Sequence, residues 1–124
     1  MTVLRKIDCV LVPVSDLAAA ATFYHEVFGL TRLWEDATSI GMGMPETDAE
    51  LVLHTRDITA ERSVTCLVGD VDQAVKSAVD GGCEILTAPF DVPVGKCAVL
   101  QDPFGNPVCI LDLSKGPRSS TGKA

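Results

Sequence analysis

Five cysteines and two histidines are the side chains of this sequence with the widest range of chemistry. The number of cysteines is odd, and no two of them have the Cys-x-x-Cys spacing that is typical of zinc and dithiol sites. We therefore expect reduced thiols that pack as small apolar side chains, and neither a disulfide nor a zinc framework. The five thiols belong to Cys9, Cys66, Cys83, Cys97 and Cys109.

Other candidate reactive groups are few. His25 stands on the polar side of a predicted helix, where a solvated side chain is the simplest interpretation. Trp34, the single tryptophan, precedes the carboxylates Glu35 and Asp36. An aromatic face beside carboxylates suits a planar or cationic ligand group, and packing against a second copy of the chain is the alternative. No Ser-His-Asp order is found, and the glycines of residues 41–44 lack the strand-loop-helix context of a phosphate loop.

The chain is acidic, with 17 Asp and Glu against 10 Lys and Arg and a formal net charge of −7. This charge opposes phosphate-backbone binding, so we expect no nucleic-acid partner, whereas a small neutral or cationic ligand remains compatible. No apolar run approaches the roughly 20 residues of a membrane-spanning helix. Residues 1–7 are not followed by the apolar segment of a signal peptide. We therefore expect a cytoplasmic protein without a membrane partner.

The elements that must position these groups form a pattern that occurs twice. β-Branched and apolar residues predict a strand over residues 6–14, and Asp16 follows at the N-cap position of a predicted helix over residues 17–28. Gly29 is placed to close this helix in the left-handed region. Three short runs with β propensity follow, near residues 31–35, 39–44 and 50–55.

The pattern restarts after a polar connector over residues 56–62. A strand over residues 63–68 leads to a second N-cap, Asp70, and to a helix that ends at two glycines, Gly81 and Gly82. Strands near residues 84–88, 96–101 and 107–113 complete the second half.

The repeat predicts the architecture. One half alone would expose a face of a four-stranded sheet, so two halves must pack together, within one chain or across a dimer. We predict an α+β fold in which two β-α-β-β-β modules form a concave, partly closed mixed sheet with the helices on the outside. Residues 1–113 are predicted as a single domain, with module one over 4–57 and module two over 61–113. Residues 114–124, basic and without apolar periodicity, are predicted as a flexible tail.

Three segments, in their order and spacing, resemble a known family. They are Ile7-Asp8-Cys9-Val10 leading to Val14-Ser15-Asp16-Leu17, then Phe23-Tyr24-His25-Glu26-Val27-Phe28-Gly29-Leu30, and Asp102-Pro103-Phe104-Gly105-Asn106-Pro107. Over residues 4–113 the chain is similar to the vicinal oxygen chelate superfamily, which includes glyoxalase I, extradiol dioxygenases, fosfomycin-resistance enzymes and bleomycin-resistance proteins. The resemblance implies paired modules, usually in a homodimer, with metal ligands on the first and last strand of each module.

The residues at the positions that the resemblance assigns to a metal are unsuited to one. Those positions are Cys9, Leu53, Ser63 and Cys109, where a typical enzyme of the superfamily has imidazoles and carboxylates. We therefore predict no metal and no cofactor. A shift of one residue in strand register would instead place His54 inside in place of Leu53. A soft-metal or redox pair of Cys9 and Cys109 is a further alternative.

These observations predict a small-molecule-binding protein that resembles the bleomycin-resistance branch, without the usual metal ligands. The alternative is a metal-dependent lyase, isomerase or ring-cleaving dioxygenase with a non-standard site, or a metal-free variant. The predicted partners are a small-molecule ligand and a second copy of the chain, as a homodimer. The predicted ligand-binding residues are Cys9, Leu11, Trp34, Leu53, Ser63, Thr65, Leu67, Val99 and Cys109.

Overall fold

Each half of the chain begins with a strand that leads into a capped helix. In the computed structural model, which describes residues 2–116, β1 (Lys6–Pro13) precedes α1 (Leu17–Phe28), and β5 (Val64–Leu67) precedes α2 (Val71–Asp80). Asp16 accepts a hydrogen bond from Ala19 N at 3.0 Å. Asp70 accepts one from Gln73 N at 2.9 Å. Each carboxylate thereby satisfies a backbone N–H that the first helical turn leaves without an intrahelical partner.

Three further strands follow each helix. In the first half they are β2 (Thr31–Glu35), β3 (Ser39–Met44) and β4 (Thr47–His54). In the second half they are β6 (Glu84–Val92), β7 (Gly95–Gln101) and β8 (Pro107–Leu111). A short 3-10 turn, Ala60–Arg62, lies in the connector between the two halves.

The eight strands of residues 2–116 form one mixed sheet, in the order β2-β3-β4-β1-β5-β8-β7-β6. Within the halves β1 pairs parallel with β4, and β5 pairs parallel with β8. The halves join through the antiparallel pair β1–β5, in which Cys9 lies opposite Thr65. The predicted α+β fold with outer helices is confirmed, and the two modules pair within one chain. The exact module bounds stay predictions.

Strand alternation separates two apolar layers. On the convex face, one cluster lies under α1 and another under α2. On the concave face, two smaller clusters line the inner surface of the sheet. Because successive strand residues point to opposite faces, each strand contributes to both layers. The convex clusters include Ala21, Met42 and Leu53 under α1 and Val71, Val75 and Ile110 under α2.

The hairpin between β6 and β7 is longer than predicted. The strand predicted to end at residue 88 continues to Val92. Pro89, which favoured an earlier end, lies in a register irregularity between Thr87 and Phe90. β6 is also the edge strand of the sheet, so it pairs with a strand on one side only. A proline, which has no backbone N–H to donate, is therefore tolerated in it. The extra residues carry the turn over residues 92–94 to the concave face, where it becomes part of a cavity wall.

The chain after β8 is hydrogen-bonded as far as the structure describes it. Ser114 Oγ donates to Asp112 Oδ1 at 2.7 Å, and Lys115 N donates to the Val94 carbonyl at 2.9 Å. The first residues of the predicted flexible tail are therefore held against β7 and β8. Residues 117–124 lie outside the described residues. No helix within residues 2–116 has the length and apolar character needed to cross a membrane.

Candidate functional site

A cavity of about 490 Å³ opens on the concave face, where the two modules meet. β1 supplies Cys9 and Leu11 to its floor, and Thr65 from β5 lies beside them. The remaining wall comes from both ends of the sheet and from the connector between the modules. These further lining residues are Trp34, Glu35, Asp36, Ser39, Val52, Arg56, Arg62, Val92, Pro93, Val94, Cys97, Leu111 and Lys115.

Trp34 is fixed in the cavity wall by a buried hydrogen bond. Its Nε1 donates to Glu50 Oε1 at 2.7 Å, and Trp34 is 6% exposed. The indole lies directly against the backbone of Gly41, where a Cβ would collide with it. Gly41 is therefore the residue type that lets the ring lie flat on β3. The result is a rigid aromatic surface at one side of the cavity.

Ser39 and His54 form a buried polar pair beside this surface. They lie opposite each other on β3 and β4 and are 1% and 2% exposed. Neither Ser39 Oγ nor His54 Nδ1 has a hydrogen-bond partner among the described residues. Burial lowers the pKa of His54, and the charges of Arg56 and Arg62 lower it further. His54 is therefore held in its neutral form near pH 7.

Arg56 completes this end of the cavity. Within residues 2–116 its guanidinium makes no ion pair and no side-chain hydrogen bond. The other cations of the wall are engaged, since Lys115 pairs with Asp91 at 3.0 Å and Arg62 lies over the Phe90 ring at 5.0 Å. Arg56 is thus the lining cation that is available to a ligand.

A pair of thiols lies at the opposite wall, where Cys97 lines the cavity and Cys109 is buried behind it. The Sγ atoms of Cys97 and Cys109 are 3.6 Å apart, and Thr65 Oγ1 donates to Cys109 Sγ at 3.6 Å. Arg62 lines the same cavity, and its positive charge favours the ionised form of both thiols. The hydrogen bond from Cys97 lowers the pKa of Cys109 to about 6 against the effect of burial, with help from Thr65 and Arg62. The pKa of Cys97 is raised by the same hydrogen bond and by burial.

The structure brings part of the predicted ligand-binding set together. Cys9, Leu11, Trp34 and Thr65 line the cavity. Their role in binding, and that of the rest of the set, stays a prediction. Val99 and Cys109 are buried in the cluster behind the Cys97 wall, Leu67 is buried near the β5 end, and the Ser63 carbonyl accepts a hydrogen bond from Leu11 N.

The placement of Leu53 on the cavity face is wrong. The β1–β4 register sets Cys9 opposite Glu50, so Glu50, Val52 and His54 share the face of Cys9. Leu53 is fully buried on the other face, under α1. The alternative register, with His54 on the inner face, is the one that the structure has. The sequence repeat, which aligns Leu53 with Cys109, does not predict the face correctly. A shift of one residue along a strand moves each side chain to the other face of the sheet.

Sequence reasoning missed the cations of the wall. Arg56 and Arg62 were assigned to a polar connector, and Lys115 to the tail. The sequence signal for them is weak, because residues 56–62 also contain Asp57 and Glu61 and therefore have no net charge. Ser39 and Cys97 carried no comparable signal, since each stands in an ordinary strand pattern.

The side chains do not fit the metal that the resemblance implies. Glu50 Oε1 accepts the Trp34 hydrogen bond, Cys109 is paired with Cys97, and Leu53 lies on the convex face. Among residues 2–116, no group of three or more His, Cys, Asp or Glu side chains is placed to hold a metal ion. A hard divalent metal needs several carboxylate or imidazole ligands around one point, and this face does not supply them.

Two β-α-β-β-β modules on one sheet, with a cavity on its concave face, define a glyoxalase-type fold. The chain matches the model of the Glyoxalase/Bleomycin resistance protein/Dioxygenase superfamily over residues 6–110 and belongs to that superfamily. No curated protein matches its sequence.

Solved structures with this fold include methylmalonyl-CoA epimerases. The enzyme from Mycobacterium tuberculosis has a TM-score of 0.71 at 15% identity, covering 91% of each chain. A variant of the Streptomyces coelicolor enzyme in complex with 2-nitronate-propionyl-CoA has a TM-score of 0.68 at 19% identity, covering 90% of this chain and 99% of that one. An epimerase in complex with methylmalonyl-CoA and ammonium has a TM-score of 0.68 at 18% identity, covering 97% and 99%. At these identities the likeness shows the fold.

Proposed function

We propose that this chain is a metal-independent small-molecule-binding protein, similar to the bleomycin-resistance branch, whose cavity takes a compact organic anion with an apolar body. The observation that carries the proposal is the pairing of an available cation, Arg56, with an apolar and aromatic cavity surface. A volume of about 490 Å³ suits a small metabolite or the acyl end of a larger one.

The local charge supports an anion even though the whole chain is acidic. The two lining carboxylates already have partners, since Glu35 pairs with Arg32 at 3.4 Å and Asp36 accepts a hydrogen bond from Thr38 N at 3.0 Å. Arg56 does not, and its planar guanidinium matches a carboxylate with two parallel hydrogen bonds. This departs from the neutral or cationic ligand that the net charge favours, because recognition depends on the charges that line the cavity.

Ser39 supplies a second polar contact. Ser39 lines the cavity, and its buried hydroxyl has no hydrogen-bond partner among the described residues. A buried polar atom without a partner carries a free-energy cost that a ligand oxygen would remove. Methylmalonyl-CoA, present in the related epimerase structure, carries a carboxylate on a short apolar chain. A ligand of that chemistry would satisfy both Arg56 and Ser39.

The test uses Trp34, the single tryptophan, as the reporter. EDTA-treated protein is titrated with methylmalonate and with neutral isobutyramide while indole fluorescence is recorded. We expect saturable quenching by methylmalonate and at least tenfold weaker binding of isobutyramide. Arg56→Gln should weaken methylmalonate binding about tenfold or more, while Arg5→Gln, on an exposed site outside the cavity, should not. Equal binding of acid and amide, or an absolute need for added metal, would contradict the proposal.

An enzyme is the second candidate, and the thiol pair favours it. Cys109, whose pKa falls to about 6, lies directly behind the cavity wall, and so low a thiol pKa is more typical of a reacting pair than of a packed one. Incubation with methylmalonyl-CoA in deuterated water separates the candidates, because an epimerase exchanges the acidic C–H and a binding protein does not. Exchange above the background rate would make the chain an enzyme.

The predicted homodimer and cytoplasmic location also stay proposals. Three apolar side chains on the outer face of α1, Phe23, Val27 and Phe28, are each more than half exposed. Apolar groups in one patch are often covered by a partner. Light scattering at micromolar concentration should give twice the chain mass, and a monomer would refute the dimer.

A further inference from the structure

We propose that Cys97 and Cys109 form a reactive thiol site in the cavity wall, which adds covalently to small electrophiles of the α,β-unsaturated carbonyl class. The site lies where the resemblance assigns a metal ligand on the last strand, but sulfur chemistry replaces coordination there. The inference is independent of the anion proposed for the other wall.

The geometry joins two sulfurs, a hydroxyl and a fixed cation. The Sγ atoms are 3.6 Å apart, and Thr65 Oγ1 is 3.6 Å from Cys109 Sγ. Arg62 lines the same cavity as Cys97, and its guanidinium lies 5.0 Å from the Phe90 centroid. Packing alone requires neither the hydroxyl nor the cation. Cations and hydrogen-bond donors stabilise a thiolate, which is the reactive form of cysteine.

The two thiols have different positions. Cys97 lines the cavity, whereas Cys109 is 1% exposed and lies behind it. Cys97 is therefore the sulfur that a ligand meets, and Cys109 is its proton partner. One proton shared between the two sulfurs leaves a single negative charge on the pair, and transfer of that proton to Cys109 makes Cys97 the thiolate.

The addition step balances within the pair. Cys97 Sγ, as thiolate, forms a bond to the β-carbon, and the alkene electrons shift to give an enolate on the carbonyl oxygen. The α-carbon then takes the proton from Cys109 Sγ, which becomes the thiolate. The product is a thioether, no oxidant is consumed, and the charge of the pair is unchanged.

A disulfide is a poorer use of the same pair. Cys97 lies opposite Leu111 and Cys109 opposite Val99, so the two cysteines are diagonal neighbours across β7 and β8. Diagonal positions place Cα atoms roughly 7–8 Å apart, at or beyond the limit of about 7 Å for a disulfide without backbone movement. The sulfurs therefore remain available as thiols.

Among the residues that the structure describes, few other charged or titratable groups lie near the Cys97–Cys109 pair. The 3-10 turn supplies Arg62, and β5 supplies Cys66, whose pKa is raised by burial and by the neighbouring Cys109. The charge of Arg62 also lowers the pKa of His54, together with the charge of Arg56. Within this set Arg62 is the group that favours a thiolate on the Cys97–Cys109 pair.

The experiment alkylates the native full chain with N-ethylmaleimide at pH 6.5 and maps the modified cysteine by mass spectrometry. The internal control is Cys83, which is more exposed and lies outside the cavity. We expect Cys97 to be modified at least tenfold faster than Cys83, although exposure alone predicts the reverse. The wild-type rate at Cys97 should rise with pH as the Cys97–Cys109 pair loses its first proton, and the lowered pKa of Cys109, about 6, sets the range in which this occurs.

Two variants test the partners. Cys109→Ser and Arg62→Gln should each slow modification of Cys97 at pH 6.5 about tenfold and move its pH profile upward, while Cys66→Ser should change neither. Circular dichroism checks that each variant is folded. If a variant does not fold, the ratio of the modification rates of Cys97 and Cys83 in the wild-type chain still tests the proposal. Modification of Cys97 no faster than Cys83, or an unchanged rate in folded Cys109→Ser, would overturn the proposal. Neither measurement involves methylmalonate, so this proposal and the anion proposal fail separately.

Discussion

The two modules have the same frame but different inner faces. Each has a strand, an Asp-capped helix and three more strands, with its first and last strands paired in parallel. On the concave side, module one carries the Trp34–Glu50 hydrogen bond and the Ser39–His54 pair. Module two carries the Cys97–Cys109 thiols in an apolar cluster. The strands and helices of a module depend on an apolar pattern that many different residues satisfy, whereas the chemistry of its inner face depends on a few individual side chains. Two repeated modules can therefore share the same fold and differ in chemistry.

The modules also differ in how the helix is attached to the sheet. α1 begins at its own N-cap, Asp16. α2 has the equivalent Asp70 and, in addition, the buried carboxylate of Asp112 just after β8. Asp112 accepts hydrogen bonds from Val71 N at 2.8 Å and Lys96 N at 2.9 Å, and from Ser114. Module two therefore has a polar junction that joins helix, hairpin and chain end.

The largest expected effect is at this junction. Asp112→Ala would leave buried N–H groups without acceptors, so we expect the free energy of unfolding to fall by about 3–5 kcal/mol. Urea unfolding measures the change. Asp91→Ala, which removes an exposed carboxylate from its ion pair with Lys115, is the control and should cost less than about 1 kcal/mol. Similar losses for both variants would show that Asp112 is no junction.

The junction should also depend on pH. Burial alone would raise the pKa of Asp112, but hydrogen bonds from Val71 N, Ser114 and Lys96 N outweigh burial and hold this pKa below its ordinary value. A carboxyl with a lowered folded-state pKa stabilises the protein above its unfolded pKa, about 3.9, and this contribution is lost as the pH falls further. The stability difference between wild type and Asp112→Asn should therefore shrink below about pH 4. A constant difference from pH 6 to pH 3 would contradict this assignment.

Two glycine-to-alanine substitutions, one in each module, compare how tightly the two modules are packed. A Cβ at Gly95 would collide with the Asp112 carbonyl and carboxylate, whereas a Cβ at Gly41 would collide with the Trp34 indole. Backbone cannot move as a side chain can, so Gly95→Ala should cost about 3 kcal/mol and Gly41→Ala about 1–2 kcal/mol. Urea unfolding of both variants gives the order. A larger cost at Gly41 would make the Trp34 wall the more rigid of the two.

Ligand binding provides a third comparison, which rests on the proposed anion. Trp34→Phe keeps an aromatic ring but loses the hydrogen bond to Glu50 and part of the flat surface. We expect about tenfold weaker methylmalonate binding by calorimetry, equivalent to about 1.4 kcal/mol. Cys109→Ser should leave this binding nearly unchanged, because it alters the opposite wall. The reverse order would move the binding site to the thiols of module two.

The smallest expected difference concerns the two N-caps. Replacing an N-cap Asp by Ala costs about 1 kcal/mol in general. Asp16→Ala should reach that value, whereas Asp70→Ala should cost a few tenths less, because Asp112 still accepts from the first turn of α2. Urea unfolding of the two single variants checks the order, and a double variant Asp70→Ala with Asp112→Asn should lose more than the sum. Equal single costs would mean that the two attachments act independently.

The sequence by itself determined the frame. Asp16 and Asp70 at the N-cap positions, Gly29 in the left-handed region with a φ of 77°, and apolar spacing of 3.6 or 2 residues are local signals. Local signals persist in the sequence because each helix or strand must satisfy its own backbone and bury its own apolar face. The repeat of these signals was enough to predict paired modules and a concave sheet.

The tertiary structure decided the contents of the cavity. His54 faces inward and Leu53 outward because β1 pairs with β4 in one register, and a shift of one residue would exchange them. Arg56 and Arg62 reach the cavity because the connector crosses its rim, and Cys97 meets Cys109 only as a diagonal neighbour across two strands. Such contacts depend on how strands distant in sequence are aligned with each other and on where the connecting loops run. The spacing of residues along a single strand determines neither the alignment of strands nor the course of a loop.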